Sequence, residues 1–228
     1  MKIVYDIVIP AYNAQNTLPA IIEAIHHLNH RPNTIIVVDD GSTDQTTQLV
    51  SEFGGVQTIR LKSNMGKGRA LRSGIEHFLQ AGQSDYLLMM DSDGQHPVKS
   101  IPEFLNLAQR VNADIIIGHR TQKIGKMPAA RIFSNTISSL ITSWVIGQKI
   151  PDSQCGFRLL KRSVLKTLRL TEDGFQIETE LIVKASKQGF TFDFVPIPTI
   201  YDGQKSYIKH VNDTIRFLKI ILGEIVNR

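Results

Sequence analysis

Cysteine and long hydrophobic runs are scarce in this sequence of 228 residues. Cys155 is the single cysteine, so no disulfide forms within the chain, and such usage is typical of the reducing cytosol. No apolar stretch approaches the ~20 residues that span a bilayer, because Lys219 and Glu224 interrupt the longest one, 217–226. Asp6 and Pro10 interrupt the first apolar run, Ile7-Val8-Ile9, so no secretory signal is predicted. We expect a cytoplasmic protein that is soluble, or peripheral at the cytoplasmic face of the membrane.

Three common nucleotide- and metal-binding motifs are absent as well. A G-x-G-x-x-G turn should follow the first strand, where the sequence has Pro10-Ala11-Tyr12-Asn13. Gly66-Lys67-Gly68 departs from the Walker A pattern, and Asp91-Ser92-Asp93-Gly94 lacks the sixth-position glycine of an EF-hand. The net charge of +5 favours an anionic partner. Since the basic residues are not interleaved with aromatics, we predict no nucleic-acid partner.

Apolar, β-branched runs alternate with helical patterns over the first half of the sequence. The runs predict strands at 5–9, 34–38, 56–61, 86–90 and 115–117. Helices are predicted at 17–28, 44–53, 69–81 and 100–111, the last opened by a capping box, Ser100-Ile101-Pro102-Glu103. Continuous apolar strands separated by helices indicate a mostly parallel sheet covered on both faces. The expected fold class is therefore α/β.

The second half is less regular. It predicts a mobile loop at 120–131, a helix at 132–146, a loop and strand over 151–160, a helix at 178–188, a strand at 191–195 and an amphipathic helix at about 211–226. The helix from Ile132 and the final helix either pack on the core, as most such helices do, or dock at a membrane interface. We expect a single domain over 1–228.

Polar residues follow three of the predicted strands, at Asp39-Asp40, Asp91-Ser92-Asp93 and His119-Arg120. Ligands of parallel sheets bind beyond the carboxyl ends of the strands, so these residues are expected along one rim. Two carboxylates two residues apart suit a hard cation such as Mg²⁺, which is usually held by one or two carboxylates plus substrate phosphates. Gln95 and His96 either complete that cation shell, line a sugar pocket or are simply solvated.

Two further loops have both a binding and a structural interpretation. Asp39 and Asp40 could accept hydrogen bonds from a base or ribose, or cap the next helix; Ser42 and Asp44 can already cap, which leaves the first two freer. The glycines of 64–68 either bring the backbone close to an anionic ligand at a helix N-terminus or form an ordinary turn.

Four of these segments, 8–13, 37–44, 64–68 and 91–97, closely resemble the family 2 glycosyltransferases of the GT-A fold. The chain looks most like the polyprenyl (dolichyl) phosphate mannose or glucose synthase branch, over residues 5 to about 215. The resemblance implies inverting transfer of a hexose from a nucleotide-diphosphate sugar, of GDP-mannose or UDP-glucose type, to polyprenyl or dolichyl phosphate, assisted by Mg²⁺ or Mn²⁺. It also implies a nucleotide-sugar-binding half at 1–120 and an acceptor-binding half at 121–228.

The resemblance assigns roles to individual residues. Those expected to bind the nucleotide sugar are Pro10, Tyr12, Asn13, Asp39, Asp40, Lys67, Asp91 and Ser92. The expected metal ligands are Asp91, Asp93 and Gln95. Those expected to bind the acceptor are Arg120, Arg131, Arg158, Lys205 and Ser206. Catalytic roles fall to Asp93, Asp152, Arg120, Arg131 and Lys205.

The acceptor remains open at this stage. A hydroxyl acceptor, as in cell-wall or surface polysaccharide synthesis, needs a general base, for which Asp152 is the candidate. A lipid phosphate is already anionic and needs cations instead. A third alternative is a non-catalytic nucleotide-sugar-binding subunit of a membrane-embedded partner.

Three other residues are interpreted structurally. Cys155 is expected to pack beside Gly156 rather than act as a nucleophile. Glu178 and Glu180 are interpreted as favourable charges at a helix N-terminus, ahead of an acceptor-site role.

Overall fold

A computed structural model describes the chain over residues 3–121, 129–200 and 221, without the side chains of 81 and 129–131. The strands in these ranges are β1 (Tyr5–Ala11), β2 (Ile35–Asp39), β3 (Val56–Arg60), β4 (Tyr86–Met89), β5 (Ile115–Thr121), β6 (Arg158–Lys161) and β7 (Phe192–Pro198). The helices are α1 (Leu18–His26), α2 (Thr46–Ser51), α3 (Lys67–Ala81), α4 (Ile101–Arg110), α5 (Ala129–Ile146), α6 (Arg162–Thr167) and α7 (Ile177–Lys187).

All the described strands form one mostly parallel sheet in the order β3-β2-β1-β4-β6-β5-β7. Strand β6 runs antiparallel to both of its neighbours, β4 and β5, while the other pairs are parallel. Strands β1 and β2 are buried at every residue, as expected for inner strands of a covered sheet. The predicted α/β class and mostly parallel sheet are confirmed.

Helix α3 lies directly against β1. A side chain at Gly74 would overlap Val8, because a Cβ built there would lie 2.3 Å from Val8 Cγ2. Glycine at this position therefore permits the close helix–strand contact. The consequence for function is that the first residue of α3, Lys67, is held at the carboxyl end of the sheet.

Most predicted elements are present, with ends shifted by one to three residues in most cases, but some expectations are wrong. Ser100 makes no side-chain capping bond, because a 3₁₀ turn at Val98–Ser100 already gives it helical torsions (φ −86°, ψ −9°). The ends of the expected loop 120–131 belong instead to β5 and α5. Helix α6 was not predicted. The expected helix at 211–226 lies outside the described residues, apart from Ile221.

Hydropathy bears on membrane insertion. None of the helices in the described part of the chain combines the length and the apolar character that crossing a membrane requires.

Candidate active site

The carboxyl ends of β1, β2, β4 and β5 lie along one rim of the sheet, as predicted. Strand β6 enters the sheet from that rim, since Arg158 at its start pairs with Met89 near the end of β4 and with Ile117 of β5. The reversed strand thereby brings residues 152–157 to the same place. Segments of the predicted nucleotide-sugar-binding and acceptor-binding halves therefore meet at this rim.

Three charged side chains from distant segments form what we call the Lys67 cluster: Lys67, Asp91 and Glu178. Lys67 Nζ lies 2.6 Å from Asp91 Oδ1 and 2.6 Å from Glu178 Oε1. A Cβ at Gly156 would lie 3.0 Å from Glu178 Oε1 and from Lys67 Nζ, so glycine covers the cluster closely. Burial raises the pKa of Asp91, but the charge and hydrogen bond of Lys67, together with other nearby positive charges, outweigh it and lower that pKa to about 2. Asp91 is thus held as a carboxylate.

The loop after β4 carries the two predicted metal carboxylates, Asp91 and Asp93. The Thr17 hydroxyl donates to the Ser92 carbonyl at 2.6 Å, and the backbone N–H of Gln95 donates to Asp93 Oδ1 at 2.9 Å. These bonds hold the loop, while both carboxylates and Gln95 remain partly exposed.

The donor set of this loop fits a hard cation. Within 3–121, 129–200 and 221, no three His, Cys, Asp or Glu side chains come together as a metal site. Two partly exposed carboxylates without further acidic ligands suit an ion that takes its remaining ligands from phosphate oxygens and water.

His96 is buried, and both of its ring nitrogens lie close to Asp91. Its Nδ1 accepts the Asp91 backbone N–H at 2.9 Å, and its ring stacks on Phe157 with the ring centres 5.1 Å apart. Burial lowers the pKa of His96. The imidazole supports the loop from beneath, and this corrects the suggestion that it lines a ligand pocket.

Arg120 and Asp152 face each other across the rim. Two guanidinium nitrogens donate to the two oxygens of Asp152 at 2.7 and 2.8 Å, and both side chains are largely buried. A carboxylate held at both oxygens is poorly placed to accept a proton from a substrate hydroxyl. The geometry therefore favours a positioning role for Asp152 over the suggested general base.

Asp39 and Asp40 are bound to their own protein neighbours. Asp39 accepts the Ser42 N–H at 2.8 Å and the Thr47 hydroxyl. Asp40 accepts the backbone N–H groups of Met65 and Gly66, each at 2.8 Å. The expectation that these carboxylates are freer for a ligand is wrong, because their oxygens fix adjacent loops.

Other predicted donor residues lie at or near the end of β1. Pro10 is buried within the strand and Tyr12 is half-buried just beyond it. Asn13 has a positive φ of 50°, and its side-chain carbonyl accepts the Thr43 N–H at 2.9 Å. Asn13 therefore joins the first two rim loops.

The glycines of 64–68 approach protein rather than leaving room for a ligand. A Cβ at Gly66 would lie 2.4 Å from the carbonyl oxygen of Asp173. A Cβ at Gly68 would lie 2.3 Å from the carbonyl oxygen of Glu172. The Asp173 carbonyl accepts the Gly68 N–H at 2.8 Å. This carbonyl occupies the N-terminus of α3, which favours the ordinary turn over the anion site.

Arg158 cannot bind an acceptor. It is 1% exposed, and its guanidinium donates to the carbonyls of Ser153, Cys155 and Glu178 at 2.7 to 2.8 Å. Burial lowers the pKa of Arg158. Because every one of these bonds is internal, its role is to hold the segment that leads into β6.

The last predicted residues are Cys155, whose surroundings the structure describes, and three residues whose side chains lie outside the described part. Burial raises the pKa of the Cys155 thiol to about 12, in keeping with its expected packing role. The backbone of Arg131 lies in α5, but its side chain is outside the described part, as are Lys205 and Ser206.

The sequence favoured a helix-dipole role over a site role for Glu178 and Glu180, yet Glu178 belongs to the Lys67 cluster and Glu180 holds a neighbouring segment. Glu180 accepts the backbone N–H groups of Thr171 and Glu172, at 2.8 and 2.9 Å, and so organises the segment that packs on Gly66 and Gly68. One signal was present: Glu178 precedes Leu181 and Ile182 by three and four residues, which places it on the buried stripe of α7.

Comparisons with known proteins agree with this arrangement. A sequence profile described as Glycosyl transferase family 2 matches residues 6–169. The polyprenol monophosphomannose synthase of Mycolicibacterium smegmatis is 31% identical over 84% of this chain and 75% of its own length. The UDP-N-acetylglucosamine–dolichyl-phosphate N-acetylglucosaminyltransferase of Methanococcus voltae is 28% identical over 88% of this chain and 86% of its own.

Solved structures show the same fold. The mannosyl-3-phosphoglycerate synthase of Rubrobacter xylanophilus superposes with a TM-score of 0.77 at 18% identity, over 99% of this chain and 74% of that one. The glucosyl-3-phosphoglycerate synthase of Mycobacterium tuberculosis, crystallised with Mn²⁺ and UDP, gives 0.73 at 18% identity, over 98% and 79%. The fold is GT-A, and the chain is a glycosyltransferase that belongs to family 2.

Proposed function

We propose that this protein transfers a hexose from a nucleotide-diphosphate sugar to a polyprenyl phosphate at the cytoplasmic face of a membrane. The names of two relatives, which specify dolichyl phosphate and polyprenol monophosphomannose, support this acceptor class. The main support for the proposal is the row of exposed apolar side chains on helix α5.

Helix α5 exposes large apolar side chains and buries mostly polar ones. Of the five buried residues among its described side chains, four are polar, namely Asn135, Ser138, Ser139 and Thr142, and the fifth is Val145. Its exposed side carries a stripe of apolar residues beside Ser134 and Thr136: Phe133, Leu140 and Trp144 are 68%, 64% and 74% exposed, and Ile137 lies between them. Residues at these spacings share one side of a helix.

An exposed stripe of this kind is costly in water and is typical of a surface that meets a membrane or another apolar partner. Tryptophan and phenylalanine are common at the headgroup boundary. The polar face of α5 contacts the acceptor-side segment, where the Ser153 N–H donates to Ser139 Oγ at 3.0 Å. The stripe therefore brings a lipid-borne acceptor close to the rim.

The candidate base on the acceptor side of the rim is not free to serve a hydroxyl. Asp152 has both oxygens engaged by Arg120. A lipid phosphate attacks without losing a proton, so it needs no general base. The pairing of Asp152 therefore favours the phosphate acceptor over a saccharide.

On the donor side, Asp91 and Asp93 would hold Mg²⁺ or Mn²⁺ together with the diphosphate. A divalent ion at this position supplies compensation for charge that develops on the leaving diphosphate. Lys67 fixes Asp91 at Oδ1, and the backbone N–H of Gln95 fixes Asp93 at its Oδ1. Both carboxylates are thereby oriented before the donor arrives.

A transfer assay tests the proposal. Purified protein is incubated with radiolabelled UDP-glucose, UDP-N-acetylglucosamine or GDP-mannose and a polyprenyl phosphate, with Mg²⁺, Mn²⁺ or EDTA. We expect label in the organic phase for one donor, lost with EDTA and in Asp93→Asn. Asp114→Asn serves as the matched control. It also removes a carboxylate, but one that pairs with Lys161 away from the rim. Label that enters only water-soluble glycan would contradict the lipid acceptor.

A further inference from the structure

Glu178 is a buried carboxylate at the rim, and the proposed function gives it no role in binding the donor or the acceptor. Its side chain is 9% exposed, and Lys67 Nζ lies 2.6 Å from its Oε1. Burying a carboxylate is costly unless a cation pairs with it. Lys67 provides that pairing while it also contacts Asp91.

The position of Glu178 is strongly determined by its surroundings. Its backbone carbonyl accepts a bond from the buried Arg158 at 2.7 Å, and Gly156 covers its Oε1. Across the cluster, Lys67 is fixed by the close packing of α3 on β1. The Lys67 ammonium is thus held between two carboxylates rather than resting on Asp91 alone.

This sharing has an electrostatic consequence. A lysine paired only with Asp91 would cancel the charge of that carboxylate and weaken its attraction for a cation. With Glu178 present, the Lys67 cluster carries one net negative charge, and Asp93 adds another nearby. The rim then keeps enough negative charge for a divalent ion while Asp91 stays fixed.

We propose that Glu178 is a positioning residue for the donor site: it anchors the Lys67 ammonium that orients Asp91 and prevents Lys67 from neutralising Asp91. The inference rests on the proposed function, because it assumes that Asp91 binds a divalent ion. Glu178 itself acts through Lys67 and does not contact the ion.

Mn²⁺ affinity, measured by the EPR signal of the free ion, tests this inference on the full chain alone and with UDP or GDP. Loss of a neighbouring group that orients a metal ligand typically weakens the metal about 10- to 100-fold. We expect such weakening in Glu178→Gln. In Lys67→Met/Glu178→Gln the net charge of the cluster is restored although Asp91 is no longer oriented, so we expect part of the affinity to return. Turnover should stay low, because Asp91 is no longer fixed.

Two further variants separate charge from packing. Glu178→Asp keeps the charge on a shorter side chain, so we expect near-normal Mn²⁺ affinity with reduced kcat. Asp114→Asn, at a carboxylate paired away from the rim, should leave both unchanged. A purely structural role for Glu178 would make the double variant bind no better than Glu178→Gln.

The outcomes distinguish this inference from the proposed function. Mn²⁺ affinity in Glu178→Gln within twofold of the wild type, or a double variant no tighter than the single one, overturns the inference alone. Absence of Mn²⁺ binding by the wild-type protein with both nucleotides contradicts the metal dependence, and the inference falls with it.

Discussion

Arg120 donates to Asp152 at two points, with Nε 2.7 Å from Oδ2 and a terminal nitrogen 2.8 Å from Oδ1. The planar guanidinium matches the carboxylate, and such two-point pairs fix orientation as well as charge. Arg120 stands near the end of β5 and Asp152 precedes β6, so the pair ties together two strands that border the proposed acceptor side.

The first prediction concerns this pair. In Arg120→Lys the charge remains but the two-point contact is lost, since an ammonium is a point charge without the planar fork. We expect kcat for transfer to polyprenyl phosphate to fall about tenfold or more, with a smaller change in the KM of the donor. Initial rates at varied donor and acceptor concentrations measure both.

Asp152→Asn provides the complementary test. It keeps the shape of the side chain, so reduced but measurable transfer is expected if Asp152 positions Arg120. Complete loss of transfer, with recovery at high pH, would instead identify Asp152 as the general base.

The second prediction concerns Gly156. An alanine Cβ there would lie 3.0 Å from both Lys67 Nζ and Glu178 Oε1, so the Lys67 cluster must shift by a few tenths of an ångström. We expect Gly156→Ala to lower transfer about tenfold while thermal unfolding changes little. Gly54→Ala is the matched control, because no atom lies within 4 Å of its added Cβ. Full activity in Gly156→Ala would show that this contact is not critical.

The third prediction concerns the outer face of α5. Replacing Phe133, Leu140 and Trp144 by serine removes the exposed apolar stripe without touching the core. We expect a smaller fraction of the triple variant to sediment with vesicles that contain anionic lipid. The melting temperature of the protein should not change. The control Val4→Ser changes an apolar residue of 45% exposure away from α5 and should bind vesicles normally. Equal vesicle binding by both variants would remove the main support for a lipid-borne acceptor.

The fourth prediction concerns stability. Arg158→Met leaves the carbonyls of Ser153, Cys155 and Glu178 buried without their donor. Leaving a buried acceptor without its donor costs about 1–3 kcal/mol, so we expect the free energy of unfolding by urea to fall by at least that much. Arg110→Met, at an exposed position at the end of α4, should change it by less than about 0.5 kcal/mol. A small effect at Arg158 would mean that water replaces the lost bonds.

The fifth prediction concerns Cys155. Burial raises the pKa of its thiol to about 12, above the value of about 8.5 expected in the unfolded chain. The folded protein therefore keeps this proton at pH 9–11 while the unfolded chain loses it, and stability falls as the pH rises through that range. We expect alkylation by iodoacetamide at pH 8 only after unfolding, and a shallower alkaline loss of stability in Cys155→Val. Rapid labelling of the native protein would contradict the buried thiol.

The sheet could be predicted from sequence because its strands are local apolar runs whose direction follows from the alternation with helices. The shared rim of Asp39, Asp91 and Arg120 followed from the same rule. The partners at that rim could not be predicted, because they come from distant segments: Lys67 and Glu178 are 111 positions apart. The family resemblance suggested that Asp40 and Arg158 bind ligands, yet backbone groups elsewhere in the protein use their polar atoms.

The reversal of β6 also matters for engineering. Because this strand starts where the parallel strands end, the segment 152–157 approaches the rim from the opposite direction to the loops after β1, β2 and β4. Acceptor preference could therefore be redesigned by exchanging that one segment between homologues, with Gly156 and Arg158 retained as fixed points. The donor loops would be left in place, so the two specificities should be separable in chimaeras.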